Sequence, residues 1–495
     1  MKSALIKALC LLLTLCMLIP FAACGENTET PPATDETKGE GTQGEVDTIV
    51  EEEETERTPH VAEADYDEDF VALYCSDIFR TGYYFVDPDN RDEGNDLDDK
   101  LYEREIMVEE YLGVDIQAIN GGDFQAYTSD FQTTVKAGDD TYQMLMTHVY
   151  MGISSLISSN YLLDMNELDD SLNLEADYWN STLMEDLAIN GKMFLGYNDF
   201  CLSQTYLVVF NKEMYEPYST TGGNLYEAVR NNEWTLDKMI SVASLVEDTS
   251  DPSTRNYGFS CFAWVPLSSF VAASDLKIAD KDPETGELFV CAATQNTEKL
   301  TALHEKIYAL CNADYTYAWG PAGMKKPAEA LGLTSNRVLM SLEGTFGLVT
   351  YKGEDIKTGI LPYPKYDSAQ KEYKHMNWNG MLAVSSCIKN KQMVGDVMEM
   401  LAYFTPDVKT AFYETLLGSK VANAPEDAEM LDLVWSTTVS DLGLVFSDLS
   451  ANMDAMVYFI PQLVTAHDQS ETASFLKANA KSANRALGKF YEKVG

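Results

Sequence analysis

The protein has 495 residues and a formal net charge of −44, because 79 acidic side chains outnumber 35 basic ones. A field of this sign repels phosphate backbones and anionic lipid headgroups, so nucleic acid is excluded as an expected partner. The nine cysteines are dispersed, with neither a Cys-x-x-Cys pair nor a histidine at ligand spacing, and this predicts no metal site and no cofactor.

Residues 1–23 have the pattern of an export signal. Lys2 and Lys7 precede an apolar run over 8–19 that is too short to span a bilayer, and small residues follow it. Cys24 comes directly after Phe-Ala-Ala, a sequence that resembles a bacterial lipobox, in which the cysteine is acylated and becomes the first mature residue. We therefore expect a lipid-anchored protein on the extracellular face of the bacterial cell membrane. An ordinary secretory signal with an incidental cysteine is the alternative.

Residues 24–69 are predicted to be the acylated cysteine followed by an acidic linker. From residue 25 this segment contains 17 acidic and two basic residues and almost no aliphatic side chain. Such a composition buries too little apolar surface to offset the entropy of an ordered chain. The sequence therefore predicts a disordered tether, and it leaves a net charge of about −31 on the folded part.

Alternating strand and helix patterns begin near residue 70. The predicted strands span 71–75, 114–119 and 142–147, and the predicted helices span 97–112 and 124–136. This order predicts a parallel sheet with right-handed crossovers. Ligands of such sheets lie outside the carboxyl ends of the strands, and His148 and Tyr150 directly follow the third strand. Both are candidate ligand-binding residues, with core packing as the alternative.

The rest of the chain continues the mixture of strands and helices. Strands are predicted over 207–211, 359–361 and 380–385, helices over 235–246, 297–311 and 393–404, and mostly helix from 425 onward. After residue 19 the sequence contains no segment long enough to span a membrane.

Four groups of short motifs follow one another along the chain. They are DLDDKLYERE at 96–105 with 108–114, NGKMFLG at 190–196 with 208–215, EWTLDKM at 233–239 with 257–259, and ILPYPK at 360–365 with 382–384. Their order over most of residues 70–440 resembles the family 1 extracellular solute-binding proteins of ABC importers, in particular clostridial members.

The resemblance implies an α/β fold of the two-lobe, type II periplasmic-binding-protein kind, with mixed, mostly parallel sheets flanked by helices. The lobes would be joined by a hinge and close over a ligand in the cleft between them. On this template the first lobe takes 70–200 plus 356–405, and the second lobe takes 201–355 plus 406–495.

The same resemblance implies a monomeric binding protein without catalytic activity. It would capture a small polar solute, a sugar or oligosaccharide, for the permease of an ABC importer. A lipoprotein that binds a peptide or a cationic ligand is one alternative, favoured by the negative field. A secreted carbohydrate-active hydrolase is another, although the sequence has no GxSxG, HExxH or P-loop motif, and acidic pairs arise by chance in so acidic a chain.

A carbohydrate site needs flat aromatic faces and a few fixed polar groups. Trp264, Trp319 and Trp378 occur beside Gly, Pro or Asn at strand ends, and Asn379 places an amide beside Trp378. We predict that Trp378 stacks on the ligand from the first lobe, opposed by Trp264 or Trp319 from the second. Core packing is the alternative for each ring.

Overall fold

The computed structural model describes residues 58–75, 85, 96–122, 126–149, 152–201, 205–320, 331–345, 347–348, 356–378, 380–417, 425–466, 468 and 470–495. The predicted export signal, Cys24 and most of the predicted linker lie outside the described residues. Tyr150 and Asn379 also lie outside them.

The strands of the described chain are β1 (Glu68–Tyr74), β2 (Val114–Asn120), β3 (Met144–His148), β4 (Tyr206–Asn211), β5 (Tyr257–Phe262), β6 (Ala279–Lys281), β7 (Leu288–Val290), β8 (Thr316–Trp319), β9 (Val338–Gly344), β10 (Thr358–Leu361), β11 (His375–Met376), β12 (Gly380–Val384) and β13 (Thr438–Val439).

The helices are α1 (Asp96–Leu112), α2 (Tyr127–Lys136), α3 (Ile153–Ser158), α4 (Ser181–Leu187), α5 (Lys212–Tyr215), α6 (Ser219–Gly222), α7 (Leu225–Arg230), α8 (Leu236–Ala243), α9 (Val265–Ala273), α10 (Thr297–Asn312), α11 (Lys391–Tyr403), α12 (Pro406–Leu417), α13 (Pro425–Ser436), α14 (Leu442–Val445), α15 (Ala451–Val457), α16 (Phe459–Thr465) and α17 (Thr472–Val494). Short 3-10 turns span Met165–Leu168, Glu216–Tyr218, Leu333–Ser335 and Ser447–Leu449.

The first sheet has the strand order β12-β3-β1-β2. β1 pairs in parallel with β2 and β3, and β12 pairs antiparallel with β3. Every residue of β3 and β12 is buried, which explains the continuously apolar sequence of β12 and the apolar start of β3. The predicted parallel sheet in the opening part of the folded chain is therefore confirmed.

Helix α1 covers one face of this sheet because its apolar residues recur at helical spacing. Leu101, Val108 and Leu112 are buried on one side. Gly113 ends the helix with φ +62°, a left-handed conformation that favours glycine, and a Cβ there would lie 2.4 Å from Asp65 Oδ1. The close approach of the chain at Asp65 therefore requires glycine at this position.

The second sheet repeats the same plan with one strand more, in the order β10-β4-β9-β5-β8. β5 pairs in parallel with β8 and β9, while β4 pairs antiparallel with β9 and β10. Each sheet thus has three parallel strands bordered by an antiparallel strand, β12 in the first and β4 in the second. Both bordering strands begin where the chain passes from one sheet to the other, after 201 and after 376.

Two parts of the structure differ from the predicted boundaries. Residues 356–405 were predicted in the first lobe, but β10 pairs with β4 in the second sheet, and Tyr363 donates to the Pro266 carbonyl of α9 at 2.9 Å. Conversely, α12 was predicted in the second lobe, whereas it packs against α1. Strand pairing and helix packing between distant segments decide which sheet these elements join. Local sequence periodicity does not encode such contacts.

The predicted disordered linker also ends earlier than residue 69. The chain before β1 forms backbone hydrogen bonds with the end of α1, including Ala64 N to Tyr111 O at 3.1 Å and Tyr66 N to Leu112 O at 3.0 Å. The hydroxyl of Tyr66 donates to Asp396 on α11 at 2.5 Å. Tyr66 and these backbone hydrogen bonds therefore anchor the last residues of the acidic segment to the fold.

His375 lies where the chain begins to cross from the second sheet to the first, and hydrogen bonds of its ring stabilise this segment. Its Nε2 accepts the backbone N–H of Tyr363 at 3.0 Å, so the proton of the neutral ring lies on Nδ1, which faces Thr437 Oγ1 at 2.8 Å. The Thr437 hydroxyl donates to Leu433 O at 2.6 Å. Burial lowers the pKa of His375 to about 3, which keeps the ring neutral at ordinary pH.

The six cysteines of the described residues are free thiols. Five are buried and Cys387 is half-buried. Among the described helices, none combines the length and apolar character needed to cross a membrane.

Candidate functional site

The two sheets meet at the ends where a ligand is expected. His148, at the carboxyl end of β3, pairs in register with Gly380, and the backbone of Trp378 lies beside its ring. On the side of the second sheet, Thr205 directly precedes β4, and its Oγ1 donates to the Met376 carbonyl at 2.8 Å. The carboxyl ends of the parallel strands and the starts of β4 and β12 therefore converge on this passage, as the topology requires.

Four aromatic residues from distant segments converge there, and we call them the aromatic cluster: Tyr206, Trp264, Trp378 and Tyr458. Trp264 stacks on Tyr458, with ring centroids 5.4 Å apart and an interplanar angle of 14°. Trp378 lies 6.3 Å from Tyr458 and 6.4 Å from Tyr206. The cluster joins the start of β4, the start of α9, the passage before β12 and the junction of α15 with α16.

Trp378 and Tyr458 are the two buried members of the cluster. The Trp378 side chain is only 4% exposed, and its indole Nε1 donates to Ser269 Oγ on α9 at 2.8 Å. A buried indole with a satisfied N–H is a packed residue in this conformation. Its stacking on a ligand stays a prediction.

Trp264 and Trp319 are half-buried and lie at the same edge of the second sheet. Trp319 ends β8 and packs on Phe262, which ends β5, with ring centroids 4.9 Å apart at 44°. Partly exposed rings at strand ends offer faces to an apolar sugar surface, which a fully packed ring cannot. The structure therefore brings the two predicted second-lobe rings to one edge.

His148 faces this region from the first sheet. Its side chain is buried, and burial lowers its pKa to about 3 against the opposing effect of the Trp378 backbone. Its backbone N–H donates to the hydroxyl of Tyr127 at 3.2 Å, and that hydroxyl donates to Met146 O at 3.2 Å. A neutral imidazole can both donate and accept, so it suits a hydroxyl partner better than an ionic one.

A carboxylate completes the polar groups at the second-sheet edge. Glu343, near the end of β9, accepts a hydrogen bond from Ser341 Oγ at 2.9 Å. Burial, and then the charge of Glu343, raise the pKa of the neighbouring Tyr206 hydroxyl. That hydroxyl therefore stays protonated and can donate.

The sequence analysis missed three of these aromatic residues. Tyr206 directly precedes the strand predicted over 207–211, so its position at a strand end was a usable signal. Phe262 ends β5, and no strand was predicted there. Tyr458 lies between two helices, and no local pattern marks it as a partner of Trp264.

A separate cavity of about 430 Å³ lies between the chain around α4 and the helices α12 and α13, and we call it the junction cavity. It is lined by Asp177, Tyr178, Trp179, Asn180, Ser181, Thr182, Tyr197, Asn198, Asp199, Cys201, Lys409, Tyr413, Asp432, Trp435 and Ser436. It shares no lining residue with the aromatic cluster.

Neither site brings together ligands for a metal ion. Within the described residues, no group of three or more His, Cys, Asp or Glu side chains has the geometry to hold one.

No protein-family model and no curated protein matches this chain. Solved structures do match. An ABC substrate-binding protein from Listeria monocytogenes, in complex with cycloalternan, is 15% identical with a TM-score of 0.53, covering 85% of this chain and 99% of that one. An ABC transporter solute-binding protein from Thermotoga lettingae, bound to α-D-tagatose, is also 15% identical with a TM-score of 0.53, and the match covers 85% of this chain and 100% of that one.

The maltose/maltodextrin-binding domain from Bdellovibrio bacteriovorus, bound to maltotriose, is 13% identical with a TM-score of 0.52, and the match covers 84% of this chain and all of that domain. At such identities the likeness concerns the fold. The described chain has the two-lobe, type II periplasmic-binding-protein fold, as the sequence predicted.

Proposed function

We propose that this protein captures a sugar or oligosaccharide in the cleft between its two sheets and delivers it to the permease of an ABC importer. The observation that carries the proposal is the convergence of aromatic residues from four distant segments at the sheet ends where ligands of this fold bind. Similar structures holding cycloalternan, tagatose and maltotriose support it.

Each group at this edge has a role that suits a carbohydrate. Trp264 and Trp319 supply faces for the apolar sides of sugar rings. Glu343 supplies acceptors for hydroxyl groups, and neutral His148 can serve as donor or acceptor. Trp378 packs against the other rings of the cluster, and the hydrogen bond from its Nε1 to Ser269 fixes its orientation.

Contacts across the cleft support closure over the ligand. Ser154 Oγ on α3 donates to Asp448 Oδ2 at 2.6 Å, and Lys192 Nζ donates to the Val494 carbonyl at 3.0 Å. Both join elements around the first sheet to the C-terminal helices. A ligand that binds only the closed arrangement would add its contacts to these and shift the population toward closure.

Truncating Trp264 to alanine should weaken sugar binding by about 2–4 kcal/mol, because interface aromatic residues in desolvated sites are the usual affinity anchors. Isothermal titration with the best ligand from a panel of mono- to tetrasaccharides measures this effect. Tyr142→Ala is the matched control, since Tyr142 precedes β3, at the end of that strand opposite to His148 and the proposed cleft. Equal affinities of the Trp264→Ala and Tyr142→Ala variants would place the sugar elsewhere.

The export-signal pattern of residues 1–23 extends the proposal to the cellular location of the protein. An acylated Cys24 would hold the protein at the outer face of the cell membrane, within reach of a permease. Cells fed a clickable fatty acid should label the wild-type protein, and Cys24→Ser should lose the label. Equal labelling of both proteins would contradict the anchor while leaving the binding proposal intact.

A further inference from the structure

The polar lining of the junction cavity is dominated by acceptors. Three carboxylates, from Asp177, Asp199 and Asp432, face a single cationic residue among the described lining, Lys409. The Lys409 ammonium lies 3.4 Å from Asp199 Oδ2 and offsets that carboxylate. Among the described lining residues the carboxylates outnumber the ammonium three to one, so a ligand that brings donors and positive charge complements this lining better than an anion.

Aromatic rings form the remainder of the wall. The Tyr413 and Trp435 rings are stacked, with centroids 4.2 Å apart at 30°, and Trp435 is only half-buried. A cation over an indole face is attracted by the negative face of the ring. Asp432 lies beside the Tyr413 hydroxyl on the same wall, which raises the pKa of that hydroxyl together with the larger effect of burial.

The opposite wall is held rigid by a buried carboxylate. Glu399 on α11 is fully buried and accepts hydrogen bonds from Trp179 Nε1 at 2.8 Å and from the backbone N–H of Asn173 at 3.1 Å. It also accepts the hydroxyl of Tyr178. Trp179 and Tyr178 are therefore fixed before any ligand arrives, which reduces the entropy lost on binding.

Asn198 gives the independent sign of a ligand. Its side chain is 2% exposed and lines the cavity, and its Oδ1 accepts the Phe200 N–H at 3.1 Å. Its Nδ2 has no hydrogen-bond partner among the described residues. A buried donor without a partner is costly, and an oxygen acceptor on a ligand would satisfy it.

We propose that the junction cavity is a second binding site, for a small organic cation that also carries an oxygen acceptor. The cation would lie against Trp435 and Tyr413 within reach of Asp432, and the oxygen would accept from Asn198. The cavity volume of about 430 Å³ suits a molecule of this size. The site is distinct from the sugar cleft, so either proposal can fail without the other.

Choline is the probe, because it combines a quaternary ammonium with a hydroxyl. Titrated into the purified protein at constant ionic strength, it should bind saturably at one site. Its neutral isostere 3,3-dimethylbutan-1-ol, which has carbon in place of nitrogen, should bind at least about tenfold more weakly. Saturable binding that does not distinguish the two, or no saturable binding by either choline or tetramethylammonium, would overturn the proposal.

Variants locate the site. Trp435→Ala and Asp432→Asn should each weaken choline binding about tenfold. Asp170→Asn removes an exposed carboxylate outside the cavity and should change nothing, as should Trp264→Ala in the cleft. Because Asp432 is exposed, its variant should fold even if Trp435→Ala does not. An equal loss of choline affinity in Asp432→Asn and Asp170→Asn would mean that choline is attracted nonspecifically to an acidic protein. The proposal would then be wrong.

Discussion

Replacing Trp378 with alanine should lower the free energy of unfolding by about 3–5 kcal/mol, the range for truncating a large aromatic residue in a core. The side chain is 4% exposed and lies between Tyr206 and Tyr458. Its removal would leave a cavity beneath the aromatic cluster and also leave Ser269 without its indole donor. Denaturant unfolding of the wild type and the variant measures the loss.

Two further variants separate packing from ligand contact. Trp378→Phe keeps most of the ring volume but loses the N–H, so it should cost about 1 kcal/mol for the hydrogen bond plus a smaller cavity. Trp319→Ala, at a half-buried position, should cost less stability than Trp378→Ala. If Trp378→Ala kept full stability and lost sugar affinity, Trp378 would be a ligand-stacking residue and its role as a support would be wrong.

Replacing Asp427 with alanine should also destabilise the fold by about 3–5 kcal/mol, as breaking a buried ion pair does. Asp427 on α13 is fully buried and accepts from Lys212 Nζ at 2.7 Å, from the Tyr226 hydroxyl at 2.6 Å and from the backbone N–H of Ile360 at 2.8 Å. Without the carboxylate, the hydroxyl and the backbone N–H lose their acceptor inside the protein. Helix α13 would lose its hydrogen bond to Ile360 of β10.

The same helix provides the control for this prediction. Glu429 also forms an ion pair, with Arg230 Nη2 at 2.5 Å, but both side chains are substantially exposed. Surface pairs contribute little because water and salt screen them, so Glu429→Ala should leave the unfolding midpoint nearly unchanged. Similar midpoints for Asp427→Ala and Glu429→Ala would show that burial does not set the strength of the Asp427 contacts.

Local patterns predicted the elements of the fold well. A helix was predicted over 97–112, and α1 spans Asp96–Leu112 with Leu101, Val108 and Leu112 buried. A helix was predicted from residue 235, and the Thr235 hydroxyl caps α8 by accepting the Lys238 N–H at 3.2 Å. The apolar spacing and the cap act within one or two helical turns, so the sequence contains them directly.

Long-range contacts escaped prediction for a physical reason. The four rings of the aromatic cluster come from positions 206, 264, 378 and 458, and only the pairing of distant strands and helices brings them together. The membership of β10 in the second sheet depends likewise on its pairing with β4. The junction cavity arises where α12 and α13 meet the chain around α4, and its polar lining has no common sequence motif.

The most direct test of the proposed function is isothermal titration of the purified protein with mono- to tetrasaccharides, with the recovered sugar analysed for chemical change. The proposal predicts saturable binding of one sugar class at a single site, with the ligand recovered intact. Absence of binding by every sugar in the panel would contradict carbohydrate capture. Recovery of cleaved ligand would instead identify a hydrolase.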